Sequence, residues 1–175
     1  MEFALLLKAT QRELERRVNE AMEPLGLTAA QADALVVIGQ AEPLSLKDLG
    51  ELLIAEAGHP SRLVDRLVEA GLVERRAAAD DRRRLELSLT PSGHRLEGKI
   101  DAAREKIREL ALILLGGREF EPTLELFRSL LQATPFAALI ARRRELTVAA
   151  SARRRGTRKQ TRSGSSRKGR RGTRN

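Results

Sequence analysis

The chain has no cysteine, no tryptophan and no tyrosine. Without cysteine there can be no disulfide framework, no thiolate zinc site and no peroxide-sensing thiol. Aromatic residues make up 2% of the sequence, four phenylalanines in all, so a core must be aliphatic, built from Leu, Ile, Val and Ala. There are two histidines, His59 and His94. No nitrogen or carboxylate ligands are arranged around either at metal-binding spacing, so no metal site is expected. A glycine-rich phosphate loop, a nucleophile elbow and a histidine acid/base pair are all missing. Neither an enzyme nor a cofactor-binding protein is expected. No apolar run approaches the roughly 18 residues that span a bilayer, and the N-terminus lacks a basic-then-apolar leader. The expectation is a soluble cytoplasmic protein with no membrane contact.

What is abundant is charge. Of the 175 residues 33% are Asp, Glu, Lys or Arg, and together with plentiful Ala and Leu they favour helix, where these side chains lose little rotamer freedom. The length suits one domain with appendages. The net charge is +9, but it is unevenly placed. Residues 151–175 hold 11 of the 33 bases and no acid, which leaves 22 bases against 24 acids before them. The body is close to neutral, so the position of its bases matters more than their number.

Periodicity divides the chain. Residues 2–23 read as a helix with Leu7, Leu14, Val18 and Met22 on one stripe, ended by Pro24 and Gly26. A second helix begins after Thr28, a capping residue, and runs to about Gln40. A third begins at Ser45 with Leu46, Leu49, Leu52 and Leu53 inward. A fourth spans about His59 to Ala70 with Leu63, Val64, Leu67 and Val68 inward, closed by Gly71. Leu72–Arg76 and Arg84–Leu89 are short extended runs around a polar tip, 77–83. Thr90-Pro91 starts the longest helix, whose Leu96, Ile100, Ala103, Ile107, Leu110 and Leu114 form a heptad-like seam. A helix at about 118–132 carries Phe120, Leu124, Phe127 and Leu131, and a short amphipathic piece follows at about 136–148. Residues 149–175 show no apolar periodicity and are expected to be a disordered basic tail.

Four helices, a two-stranded hairpin and a long closing helix, in that order, define a winged helix-turn-helix. The expected fold is mainly α, with a small β-hairpin wing and N- and C-terminal dimerisation helices. In such a fold the fourth helix fits a major groove and the hairpin reaches the adjacent minor groove. The residues carry a resemblance as well. Leu27-Thr28-x-x-Gln31-x-x-x-Leu35 is followed by Leu44-Ser45-Leu46-Lys47-Asp48-Leu49-Gly50-Glu51-Leu52. Next come Ser61-Arg62-Leu63-Val64-Asp65-Arg66-Leu67, Gly71-Leu72-Val73-Glu74-Arg75-Arg76, and Asp81-Arg82-Arg83 before Ser88-Leu89-Thr90-x-x-Gly93. Over roughly residues 3–132 this string resembles the MarR family of regulators. Gly58-His59-Pro60 departs from the family's usual run of Ser, Thr and an aliphatic residue. The resemblance implies a homodimer held by its first and last helices and bound to a near-palindromic operator. It also implies release by a small molecule lodged between the dimerisation and DNA-binding parts. Residues 1–26 and 91–148 would form the dimerisation region and 27–90 the DNA-binding domain.

On this reading His59, Ser61, Arg62 and Arg66 face DNA from the fourth helix, Arg being suited to the guanine edge. The alternative for Arg62 and Arg66 is a solvated face with a local pair to Asp65. Arg82 and Arg83 would enter a minor groove, whose narrow form attracts a guanidinium; by resemblance Asp81 holds Arg83 in place. Arg75, Arg76 and Arg84 suit phosphates, as do Ser45 and Lys47 near a helix N-terminus, although for Ser45 and Thr28 capping alone would account for the hydroxyl. The expected function is a sequence-specific double-stranded DNA-binding transcriptional regulator, a repressor released by a small apolar or amphipathic effector. The alternative is an architectural, nucleoid-type protein with little sequence preference.

Overall fold

In a computed structural model the described residues are 2–54, 60–78, 81, 84–114, 116, 119 and 121–167. Helix α1 (Glu2–Met22) carries its charges on an outer face, where Arg16 and Arg17 pair with Glu13. It passes through a 3-10 turn at Glu23–Leu25, and Gly26 takes the left-handed conformation at φ 70° that lets the chain reverse. Helix α2 (Ala29–Ala41) starts in a capping box: the Thr28 hydroxyl accepts from the Gln31 amide at 3.2 Å, and the Gln31 side chain accepts from the Thr28 amide at 2.9 Å. Its Ala32, Ala34, Leu35, Val36, Val37 and Ile38 are all buried, because α1, α4, α5 and the sheet surround it.

Helices α3 (Leu46–Leu52) and α4 (Pro60–Glu69) follow as the helix-turn-helix pair. Leu49, Leu52, Leu63, Val64 and Leu67 are buried between them and α2, as the apolar spacing predicts. Strands β1 (Leu44–Ser45), β2 (Val73–Ala77) and β3 (Leu85–Leu89) form an antiparallel sheet in the order β1-β3-β2. The hairpin register runs from Val73↔Leu89 to Ala77↔Leu85. The third strand, β1, opposite Leu87 and Glu86, is absent from the sequence reading, since two residues carry no periodicity.

Helix α5 (Pro91–Leu114) begins on a joint that accounts for the Leu-Thr-x-x-Gly string. The Thr90 hydroxyl donates to the Gly71 carbonyl at 2.7 Å and accepts from the Gly93 amide at 3.1 Å. A Cβ on Gly93 would lie 2.1 Å from the Leu72 carbonyl oxygen. These residues weld the base of the wing to the long helix. The first half of the seam is covered within the chain, Ile100 completely, by α1 and α2. Leu110 and Ile113 further along are exposed. Leu7 and Leu14 of α1 are exposed too, so that stripe is buried only at its Met22 end. Helix α6 (Glu121–Leu131) exposes Leu126, Phe127 and Leu130. Among the described residues no single helix is long and apolar enough to cross a membrane.

The last element corrects the sequence reading. Helix α7 runs from Phe136 to Arg167, not from 136 to 148, so residues 149–167 are helix and not disordered tail. Ala149, Ala150 and Ala152 with their arginines are good helix formers, and Arg153 and Arg154 find fixed partners: the Gln40 carbonyl for the first, Glu97 and Asp101 for the second. Nor does α7 lie with α5 and α6 alone, for it packs along α2 and α3.

Candidate nucleic-acid interface

The exposed side of α4 and the adjoining hairpin form one surface. Ser61, Arg62, Asp65 and Arg66 are exposed on α4, opposite the buried Leu63, Val64 and Leu67. Asp65 does not stand alone: its carboxylate accepts from Arg75 of β2 at 2.6 Å. That pair ties the strand to the helix and holds the Arg75 guanidinium at their junction. Arg76 is 2.7 Å from Glu74, and Arg84 is 3.2 Å from Glu86. Each wing-base arginine thus has an acidic neighbour that orients it. The ladder continues towards the tip through the Ala78 amide to the Arg84 carbonyl at 2.8 Å and the Arg84 amide to the Asp81 carbonyl at 3.0 Å. His59, Arg82 and Arg83 lie outside the described residues, as does Phe120, so the Asp81–Arg83 pairing rests on the resemblance alone.

Ser45 and Lys47 behave differently at the start of α3. The Ser45 hydroxyl accepts from the Asp48 amide at 3.1 Å and donates to the Asp48 carboxylate at 2.7 Å. This hydrogen bond is the main reason the Asp48 carboxyl titrates below its ordinary value. The hydroxyl is consumed by the cap. Lys47 is 86% exposed, its ammonium 4.0 Å from Glu51, a distance and setting in which a surface pair contributes little.

Behind this surface lies a cavity of about 840 Å³ between α1, α2, α4 and α5. Leu14, Val18, Leu53 and Leu63 supply apolar wall, while Asp33, Arg62, Arg66 and Arg104 supply charge. Arg62 and Arg66 therefore border both the exposed face and the cavity, a dual position that helical spacing alone did not reveal. Asp33 is held by Arg143 and Arg104. Burial pushes its carboxyl up, but the two guanidinium groups outweigh burial and leave it below its ordinary value.

The second histidine also departs from expectation. His94 lies 3.1 Å from Glu42 and 3.6 Å from Glu97, carboxylates that the sequence reading did not place there. Only the Glu97 spacing was visible; Glu42 arrives from the end of α2. Glu42 is engaged by the Leu89 amide at 2.8 Å and Glu97 by Arg154. Among the described residues no group of three such side chains could hold a metal ion.

Two helices in a helix-turn-helix arrangement, a β-hairpin beside the second and a long helix after it make this a winged helix-turn-helix protein. Comparison with known sequences agrees. Residues 25–84 match the MarR family. The chain is 30% identical over 98 residues to the organic hydroperoxide resistance transcriptional regulator of Bacillus subtilis, covering 56% of this chain and 67% of that protein. It is 34% identical over 88 residues to the multiple antibiotic resistance protein MarR of Escherichia coli, covering 50% and 61%. A crystal structure of a mutant E. coli MarR complexed with operator DNA superposes with a TM-score of 0.65 at 26% identity, over 77% of this chain and 95% of that one. The chain belongs to the MarR family of transcriptional regulators, which are not enzymes.

Proposed function

We propose that the chain is a cytoplasmic, dimeric transcriptional repressor that reads a near-palindromic operator and is released by a small apolar or amphipathic molecule. One observation carries the reading: the exposed Ser61, Arg62 and Arg66 of α4 share a surface with the arginine-lined foot of the hairpin, joined to it by the Asp65–Arg75 pair. The major groove of B-DNA admits an α-helix, with Ser61 and Arg62 at base edges and Arg66 and Lys47 at phosphates. His59 at the helix start would add to the base-reading set. Arg75, Arg76 and Arg84 would meet backbone phosphates at the foot of the wing, and Arg82 and Arg83, positioned by Asp81, the minor groove. Ser45 contributes its place at the N-terminus of α3 and not its hydroxyl. The mutant E. coli MarR that this chain resembles is complexed with operator DNA in its crystal structure, which supports operator binding here.

Phe3, Leu5 and Leu6 of α1, Leu110 and Ile113 of α5 and Leu126, Phe127 and Leu130 of α6 are large apolar side chains left exposed on the single chain, and such clusters mark interaction sites. They suit burial against a second copy. The 840 Å³ cavity lies within the size range of small-molecule sites and touches the reading helix through Arg62, Leu63 and Arg66. An occupant there would act on α4 directly. Without cysteine, the response cannot be a thiol oxidation.

Selection of duplexes from a random pool, repeated with candidate metabolites, tests the reading. A regulator prefers its operator over random duplex by about 10³ or more at physiological salt. Equal binding of all sequences would favour an architectural role instead. With the selected operator, Arg83→Ala should weaken binding by roughly tenfold or more, the scale of one lost specific contact, and leave the dimer intact.

A further inference from the structure

Helix α7 grips the two parts of the molecule at once. Arg143, 20% exposed, donates through Nη1 to one carboxylate oxygen of Asp33 and through Nη2 to the other, both at 2.7 Å. Nη1 also lies 3.5 Å from the Leu52 carbonyl at the end of α3. The same Asp33 accepts from Arg104 of α5 at 3.1 Å. One turn on, the Thr147 hydroxyl is 3.4 Å from the Gln40 side chain, and Arg153 then binds the Gln40 carbonyl. Arg154 closes the series on Glu97 and Asp101 of α5. Helices α2 and α3 carry the reading helix α4, whereas α5 is the stalk that leads to the exposed apolar surface.

We infer that α7 is a brace fixing the angle of the reading lobe on the α5 stalk, with Arg143 on Asp33 as its central fastening. A two-pronged guanidinium–carboxylate pair fixes direction as well as distance, and partial burial shields it from salt. The lowered Asp33 carboxyl is consistent with that strength. Arg142, half-exposed and 3.5 and 3.8 Å from Glu51 and Asp48, adds little. In a two-fold dimer a small rotation of each lobe changes the separation of the reading helices, which must match half-sites about one helical turn apart. Arg143 is thus a positioning residue for operator reading. The role in reading rests on the function proposed above; the mechanical role does not.

The absence of cysteine makes a spin-label test clean. Glu69→Cys at the exposed end of α4 and Glu109→Cys on the exposed side of α5 report the lobe-to-stalk distance within one protomer. Excess unlabelled chain suppresses any signal between protomers. Arg143→Ala should make the distance distribution roughly twice as broad, as expected of a hinge released, and Arg143→Lys, which keeps the charge but loses the fork, should fall between. An unchanged width in a folded Arg143→Ala protein overturns the brace. If Arg143→Ala does not fold, Arg143→Gln, which can still donate one hydrogen bond to Asp33, takes its place with the same criterion. On a selected operator, one inserted base pair between half-sites should weaken the unsubstituted chain by about tenfold and Arg143→Ala far less. A retained tenfold ratio beside a broadened distribution overturns the positioning role. A chain with no sequence preference but a broadened distribution sinks the DNA reading and leaves the brace standing.

Discussion

Position 93 tolerates nothing larger than hydrogen. A methyl group there would sit 2.1 Å from the Leu72 carbonyl oxygen, an oxygen that already accepts from the Thr90 amide at 3.0 Å. Backbone cannot rotate aside as a side chain can, so Gly93→Ala should cost about 3 kcal/mol, at the upper end of overpacking penalties, in a denaturant titration. Glu97 makes the opposite kind of residue-scale claim. Burial raises its carboxyl, with Asp101 adding to the effect, against the pull of Arg154 and His94. The folded state therefore keeps this proton to higher pH than the unfolded chain. Its contribution to stability is fully present on the acid side and falls as pH climbs from the ordinary glutamate range, about 4.3, through the raised value. Glu97→Gln should flatten stability over that window when denaturation is followed pH by pH. Asp33, lowered in the fold, works below the ordinary aspartate range with the other sign, its contribution lost as pH falls. The two effects have opposite signs and extend to opposite sides of about pH 4, so a change confined to the acid side would refute the Glu97 assignment.

At the scale of elements, the start of α3 separates capping from DNA contact. Ser45→Ala removes the hydroxyl that satisfies the Asp48 amide and should lower stability by about 1 kcal/mol without altering the salt dependence of operator binding. Lys47→Ala should do the reverse: stability within about 0.5 kcal/mol and a log–log salt slope reduced by about one, the mark of a single phosphate contact. A Ser45→Ala protein with a shallower slope would return that hydroxyl to the DNA. Elements with strong local signals were legible before any coordinates. Thr28, Ser45 and Thr90 mark three helix starts by their capping hydroxyls, Gly71 marks an end, and the Leu63/Val64/Leu67 spacing gives the inner face of α4. What could not be read depends on distant partners. The strand β1 exists only because Leu44 meets Leu87. Helix α7 continues past 148 where Arg153 meets the Gln40 carbonyl of α2 and Arg154 meets Glu97 and Asp101 of α5, partners that lie 53 to 113 positions earlier in the chain. A composition of arginine, glycine and serine reads as tail when such partners are unseen. The same blindness hid Glu42 beside His94.

For the whole molecule the decisive quantity is where charge resides. The first 150 residues are nearly neutral, and on α7 Arg142, Arg143 and Arg154 are paired with acids of the chain itself. Nine of the chain's bases, and no acid, lie in residues 155–175. Such a segment attached to a DNA reader adds affinity by releasing counterions from the duplex, about 0.9 in log–log salt slope for each phosphate neutralised. Four contacts would contribute about 3.6, or roughly a hundredfold change in affinity between 50 and 200 mM salt. Truncation after Arg154 keeps the internal anchors and removes only this segment. Binding to a selected operator and to random duplex should then weaken by the same factor and become less steep in salt, while the ratio between them holds. That ratio belongs to α4 and the wing, which the truncation leaves untouched. If the operator alone lost affinity, the segment would be reading sequence, and the division between a neutral reading head and a basic anchor would have to be abandoned.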